Sequence, residues 1–291
     1  MMSKLKLFVF LALTPATSWV FSAVSPQPRP EPNQLNNFHQ VLEQVGKTVL
    51  RPGGSAATLT LQDWAHLGPG DSVLELCSGL GTGGMALAEN TSCRVLLTDR
   101  DTDRLAKAKA TAVEKRPSDL IETLPMDLLN ADDLLDKAEH FDAIVVEASL
   151  THFPELERER ILRGLKDQTD QVLLHEICFR GEDDEENTNV SKQVGRALGI
   201  RFDPSSIEGW TELLERTGYN VTRLETGPLG VLNPINILQD EGPLGMAKII
   251  WNVITRPDLR DRVISVRSIL QKHRDKLGYI ILRAVPTNIQ E

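Results

Sequence analysis

The chain has 291 residues, 41% hydrophobic and 25% charged, with 41 acidic against 32 basic side chains and a formal net charge of −9. This is the make-up of a globular chain with room for a substantial core, and it excludes collagen-like, membrane-bundle and mostly disordered classes. An acidic surface repels phosphate backbones, so no nucleic-acid partner is expected. The three scattered cysteines, Cys77, Cys93 and Cys178, build no disulfide framework.

At the N-terminus, Lys4 and Lys6 precede the apolar run LFVFLAL (7–13), then Pro15 and small residues. These are the parts of a secretory leader, read over 1–23, and the run is too short for a stable membrane span. Such a leader sends the chain into the secretory route. A complex-plastid type of destination is one option, and the cytoplasm is the alternative. Alternating proline in SPQPRPEP (25–32) makes an extended linker, 24–33, before a folded domain over 34–291.

Phe38, Val41, Leu42, Val45 and Val49 recur at helical spacing and predict a helix ended by RPGG (51–54). A second helix is expected from Ser55 to about His66. Strands are expected at VLEL (73–76), RVLLT (94–98), 121–124, AIVVE (143–147), VLLHEI (172–177), VTRLE (221–225) and YIILRA (279–284). Helices are expected over 82–89, 102–115, 155–165 and 207–217, and EDDEE (182–186) reads as a solvated loop. This alternation predicts an α/β chain with a seven-stranded, mostly parallel sheet and helices on both faces. Before the last strand comes an insertion, 227–277, whose later part carries the stripe Leu259, Val263, Val266, Leu270, His273 and Leu277. It reads as a helical lid over a pocket, shared with the 38–49 helix, and His273 as a satisfied core histidine.

The decisive stretch is VLELCSGLGTGG (73–84). A buried strand runs into a glycine-rich loop and then a helix, so a ligand can approach bare backbone beside unpaired N–H groups. Gly79, Gly81 and Gly84, with Asp99 twenty residues beyond Gly79, fit a dinucleotide fingerprint. Yet Glu75 lies inside the strand. A buried carboxylate is costly without a partner, and a cationic ligand suits it better than a pyrophosphate.

Glu75-x-x-x-Gly79-x-Gly81 after an apolar strand resembles the first motif of the class I S-adenosylmethionine-dependent methyltransferases. The family more often has Asp where Glu75 stands and Gly where Cys77 stands. The resemblance implies a Rossmann-like fold and S-adenosyl-L-methionine as cofactor, contacted by Glu75, Cys77, Ser78, Gly79 and Gly81. It implies Asp99 at the ribose, Arg100 near the adenine edge, and Asp127 with apolar Leu128 beside the adenine amino group. FDAIVVEASLTHF (141–153) is similar to the family's fourth-strand motif, whose end lies beside the reactive methyl.

Ligands of open parallel sheets bind at the carboxyl ends of the strands. His152 is the first candidate for a general base there, and Glu147 for a contact to cofactor or substrate. His175 and Glu176 alternate across the sheet, so one faces each side. The histidines and cysteines show no metal-ligand spacing, and no metal is expected. The partner expected is a small-molecule methyl acceptor. The alternatives are an NAD(P)-dependent oxidoreductase using the same loop and a non-catalytic cofactor-binding relative.

Overall fold

The computed structural model describes residues 37–115, 118–130 and 140–287. The expected leader and linker lie outside these residues. The strands are β1 (Ser72–Leu76), β2 (Arg94–Asp99), β3 (Ile121–Pro125), β4 (Ala143–Glu147), β5 (Val172–Phe179), the two-residue β6 (Ser205–Ser206), β7 (Tyr219–Pro228) and β8 (Leu277–Pro286). They form one sheet in the order β3-β2-β1-β4-β5-β8-β7, with β6 paired to the end of β5. Pairing is parallel except at β8, which runs antiparallel to both β5 and β7. The expected mostly parallel sheet is therefore present, with one short strand more than the sequence showed.

β1 and β4 are buried at every position. Such unbroken apolar runs need cover on both faces of a parallel sheet. On one face Leu74, Leu76, Ile144 and Val146 pack with residues of α5 (Glu155–Leu165) and α7 (Ile207–Arg216), among them the fully buried Trp210. On the other, Val73, Val95 and Val145 pack with α2 (Gly54–Ala65), α3 (Thr82–Thr91) and α4 (Thr102–Lys115). A third apolar cluster joins α1 (Phe38–Val45), α6 (Asp184–Leu198), α8 (Pro234–Thr255) and α9 (Pro257–Lys272). His273 is buried there and meets Gln193 Oε1 through Nε2 at 3.2 Å, which satisfies it as expected of a core histidine.

Two expectations fail. The helix read to Val49 stops at Val45, because Gly46 adopts φ 101° and its N–H closes the end on Leu42 and Glu43 carbonyls. EDDEE is not a loop: Asp183 caps α6 by accepting the Glu186 N–H, and the next three acidic residues fill its first turn. Carboxylates there meet the positive end of the helix dipole.

The 46–53 turn lies against the insertion. Just before a break in α8 at Gly242 (φ 68°), where Pro243 follows, Asp240 accepts from Lys47 Nζ and from the Ser55 N–H and hydroxyl. Glu241 accepts from the Thr48 and Val49 amides and the Thr48 hydroxyl. Buried Lys47 is thereby paired, which a buried ammonium requires.

Candidate functional site

The carboxyl ends of β1, β2 and β3 are tied into one edge. The Ser78 N–H donates to the Thr98 carbonyl, and Thr98 Oγ1 donates to the Glu75 carbonyl. The Asp99 carbonyl takes the Met126 N–H, which brings Asp127 beside the end of β2. Asp99 Oδ2 accepts the Gly79 N–H at 2.8 Å and Oδ1 the Asp101 N–H at 2.9 Å. Cys77, Ser78, Gly79, Asp99 and Asp127 are thus gathered on one side of the loop. Arg100 is exposed at its rim.

Leu128 departs from its expected place. Its side chain is buried in the main core, while Asp127 Oδ1 caps the short turn that Leu128 begins. Burial pushes the Cys77 thiol up to about 12, so it stays a neutral thiol.

The glycines of the loop have different jobs. Gly79 sits at φ 57° with nothing within 4 Å of where a Cβ would stand, so its bare backbone faces open space. A Cβ on Gly81 would lie 2.5 Å from Leu97, and one on Gly84 2.5 Å from Glu75 Oε2. A Cβ on Gly83 would lie 2.8 Å from both Arg51 Nη1 and Glu147 Oε1. Gly79 leaves bare backbone at open space, Gly81 lets the loop pack on Leu97, and Gly83 and Gly84 let α3 close over a charged cage of Arg51, Glu147 and Glu75.

That cage corrects the reading of Glu75. Its carboxylate is turned under the loop, 4% exposed, with Oε2 accepting the Gly84 N–H at 2.8 Å. The unpaired amides of the first turn of α3 draw it there, and Gly84 leaves the room. Burial, reinforced by Glu147, pushes its pKa up to about 8 against the pull of Arg51 and the Gly84 amide.

Glu147 is equally committed. Oε1 accepts from Arg51 Nη1 at 3.0 Å, and Oε2 from Thr58 Oγ1 at 2.5 Å. His175, its partner in register on β5, reaches Oε2 through Nδ1 at 2.7 Å. Burial would raise this carboxylate, but Arg51, His175 and Thr58 outweigh it and hold it down at about 2. His175 Nε2 accepts the Gly53 N–H at 3.0 Å, so the proton sits on Nδ1 and points at Glu147. Held by these three bonds and at so low a pKa, Glu147 is committed to the cage and is no base for a proton to be moved.

On the opposite face of the sheet, Glu176 Oε1 takes the Ser149 and Leu150 amides and Oε2 the Thr151 amide and hydroxyl. It moulds the turn that carries His152.

Beside that turn lies an apolar pocket of about 540 Å³, its open mouth included. Phe38 and Leu42 of α1, Pro52, Phe202, Leu229 and Leu270 wall it, and its polar members are His39, Thr151 and His152. Walls thus come from α1 and from Leu229, Val231 and Leu270 of the insertion. His152 Nδ1 lies 2.7 Å from the Arg201 carbonyl and must donate to it, which leaves Nε2 as the lone-pair nitrogen. Among the described residues Nε2 has no hydrogen-bond partner. His39 meets His152 edge-on, with ring centroids 5.5 Å apart. Burial lowers both pKa values, His39 to about 3 with His152 and Arg104 adding to it, so both rings are neutral near pH 7.

Sequence reading missed His39 and Arg51. The signal for Arg51 was available: two acidic residues at strand ends, Glu75 and Glu147, need a cation, and RPGG supplies one. Nothing in the periodicity of α1 set His39 apart.

S-adenosylmethionine, the cofactor that the sequence resemblance implies, fits the loop edge. The space over Gly79 is open, the buried Ser78 hydroxyl has no hydrogen-bond partner among the described residues, and Asp99 keeps lone pairs beyond its two amides. Among the described residues no three acidic, histidine or cysteine side chains group to hold a metal ion. No helix among them is long and apolar enough to cross a membrane.

Comparison with known proteins points the same way. A methyltransferase-domain family model matches residues 73–170. An uncharacterized protein of Haemophilus influenzae is 30% identical over 224 residues, covering 74% of this chain and 85% of its own length. Among solved structures, the methyltransferase of Thiobacillus denitrificans bound to S-adenosylhomocysteine superposes with a TM-score of 0.63 at 15% identity, covering 89% of this chain and all of its own. A methyltransferase of Geobacter sulfurreducens, also bound to S-adenosylhomocysteine, gives 0.62 at 17% identity over 85% of this chain and 98% of its own. The cyclopropane synthase MmaA2 of Mycobacterium tuberculosis gives 0.64 at 12% identity over 87% and 94%. At these identities the likeness to solved structures is one of fold.

Proposed function

We propose that this chain, which belongs to the class I S-adenosylmethionine-dependent methyltransferases, moves a methyl group onto a small, largely apolar acceptor seated between α1 and the turn after β4. One observation carries the reading: His152 presents an unspent Nε2 lone pair inside an apolar pocket that opens from the carboxyl end of β4, the strand beside β1 and its glycine loop.

S-adenosylmethionine, when bound, supplies a methyl on a positively charged sulfur that is already activated for displacement. The chain's part is to hold and align. Gly79 and Ser78 would hold the cofactor at the loop, Asp99 would take its ribose hydroxyls, and Asp127 and Arg100 would serve its adenine. Glu75 acts from beneath by fixing the Gly84 amide and so the start of α3. On the acceptor side, the walls from Phe38 to Leu270 exclude water and orient the molecule, and orientation can supply about 7–11 kcal/mol of the barrier. His152 takes the proton of an acceptor hydroxyl, thiol or amine at Nε2. The Arg201 carbonyl steadies the ring by holding Nδ1–H and favours the imidazolium that forms. A pocket with two neutral histidines and no carboxylate favours an uncharged acceptor body.

Methyl-labelled S-adenosylmethionine offered with a panel of apolar phenols, thiols and heterocyclic amines tests this, beside calorimetry with S-adenosylhomocysteine and NAD. The expected result is label transfer to one acceptor class and binding of S-adenosylhomocysteine but not NAD. Binding of NAD alone would return the loop to oxidoreductase chemistry. Cofactor binding without transfer to any acceptor would make the chain a binding module.

A further inference from the structure

The second half of α8 is apolar on its inward and its outward side, with Lys248, Asn252 and Thr255 together on one flank between them. Over 244–255 its one charged residue is Lys248. Ile249 faces the interior and is buried. Leu244, Ala247, Trp251 and Ile254, spaced by three, four and three residues, form a stripe on the other side. Leu244 is 88%, Trp251 67% and Ile254 65% exposed, and Ile250 is exposed beside them. A helix apolar on both sides calls for cover on both, and the fold covers one. On α9 exposed Ile264 falls between Arg260 and Arg267 on a single face.

Charge selects the occupant. Residues 244–276 carry eight basic side chains against three acidic, a surplus of five in a chain whose net charge is −9. A second copy would set this positive hairpin against another. The N-terminal 36 residues, which include the apolar run 7–13, carry three basic side chains and one acidic, and are mismatched in the same sense. A nucleic-acid strand would match the charge but leave the Leu–Trp–Ile stripe in water. A lipid surface with anionic headgroups answers both features: its acyl boundary takes the stripe, the Trp251 indole sits at headgroup level, and the arginines of α9 meet phosphate.

We infer that the α8–α9 hairpin is a peripheral docking face for an anionic lipid bilayer, lying on it without crossing it. This rests on the surface alone and stands or falls apart from methyl transfer. The test is co-sedimentation of the full chain with vesicles of phosphatidylcholine, with and without phosphatidylglycerol. Binding should need the anionic lipid and weaken with added salt. The pair Trp251→Ser with Ile254→Ser should cut binding at least about tenfold, and Arg260→Glu with Arg267→Glu by a similar factor on anionic vesicles. Both pairs change exposed side chains and should leave the thermal midpoint unchanged. Equal binding by the serine pair would assign any lipid affinity to the apolar run 7–13 and overturn the proposal. So would binding indifferent to phosphatidylglycerol, a dimer that Trp251→Ser dissociates without any vesicle binding, or capture of duplex DNA in place of vesicles.

Discussion

Two histidines that follow neighbouring strands, the buried His175 and the half-buried His152, are placed in opposite ways. His175 spends both nitrogens, one on Glu147 and one on the Gly53 amide, in a cage where Arg51, Thr58 and Glu75 are also bound. His152 spends one nitrogen on a carbonyl and turns the other to an apolar pocket. The difference in exposure is not what matters most. What separates them is whether the buried polar atom still has something to give, because satisfied networks stiffen a fold while an unspent lone pair is free to react.

The hardest blow to that contrast is Glu147→Ala. It leaves Arg51 without its close partner and strands the Thr58 hydroxyl and His175 Nδ1–H, and should cost about 3–5 kcal/mol in urea unfolding. Acid tells the same story in wild type. A carboxylate held near 2 stabilises fully above its ordinary value of 4.5, and that contribution disappears as pH falls through 2.

His152→Gln should do the reverse, lowering kcat by about 10²- to 10⁴-fold while the unfolding midpoint stays put. Because the ring must be neutral to accept a proton and burial lowers its pKa, the acid limb of the wild-type rate profile should fall below pH 6.5. A limb at or above that value would mean another group titrates.

The glycine loop allows a finer cut. Gly84→Ala drives a methyl into Glu75 and Leu97 and should cost about 1–3 kcal/mol of stability. Gly79→Ala meets no atom, carries roughly 1–2 kcal/mol of backbone strain at φ 57°, and should show its main loss in S-adenosylhomocysteine affinity by calorimetry. Equal affinity losses in the two variants would erase the division of labour.

The subtlest change is one of slope. With Glu75 raised to about 8, the folded chain keeps the carboxyl protonated while the unfolded chain ionises near 4.5, so stability should decline as pH rises from about 4.5 to 8 and then level off. Glu75→Gln keeps an oxygen for the Gly84 amide and should flatten that decline in denaturation curves taken across the range.

Much of this frame was legible from residue order. The βα alternation gives the sheet, the short strand at 121–125 included, and the glycine loop lies where its spacing put it. The cofactor edge was legible because its residues follow strand ends in fixed order. The direction of Glu75 was not, since a strand position says which face a side chain takes but not which neighbour claims its carboxylate first. α6 was hidden by its own acidic start, where a charge run and a helix cap look alike. The lining of the apolar pocket was legible only coarsely: a cover shared by the 38–49 stretch and the insertion was expected, but nothing in local pattern says that His39, His152 and Leu270 come together across some two hundred positions of chain.

One strap, 47–55, joins the insertion to the glycine loop. Asp240 and Glu241 of the insertion grip it from above, and its Arg51 reaches below the cofactor loop. The apolar pocket and the glycine loop therefore share a tie-rod, and a molecule in the pocket that shifted the insertion would act on the footing of the loop. Linkage makes that traffic symmetrical: cutting the rod with Asp240→Asn should change S-adenosylhomocysteine affinity in calorimetry, though the substituted residue stands apart from the loop edge that receives the cofactor, and an unchanged isotherm would show the compartments to be mechanically separate.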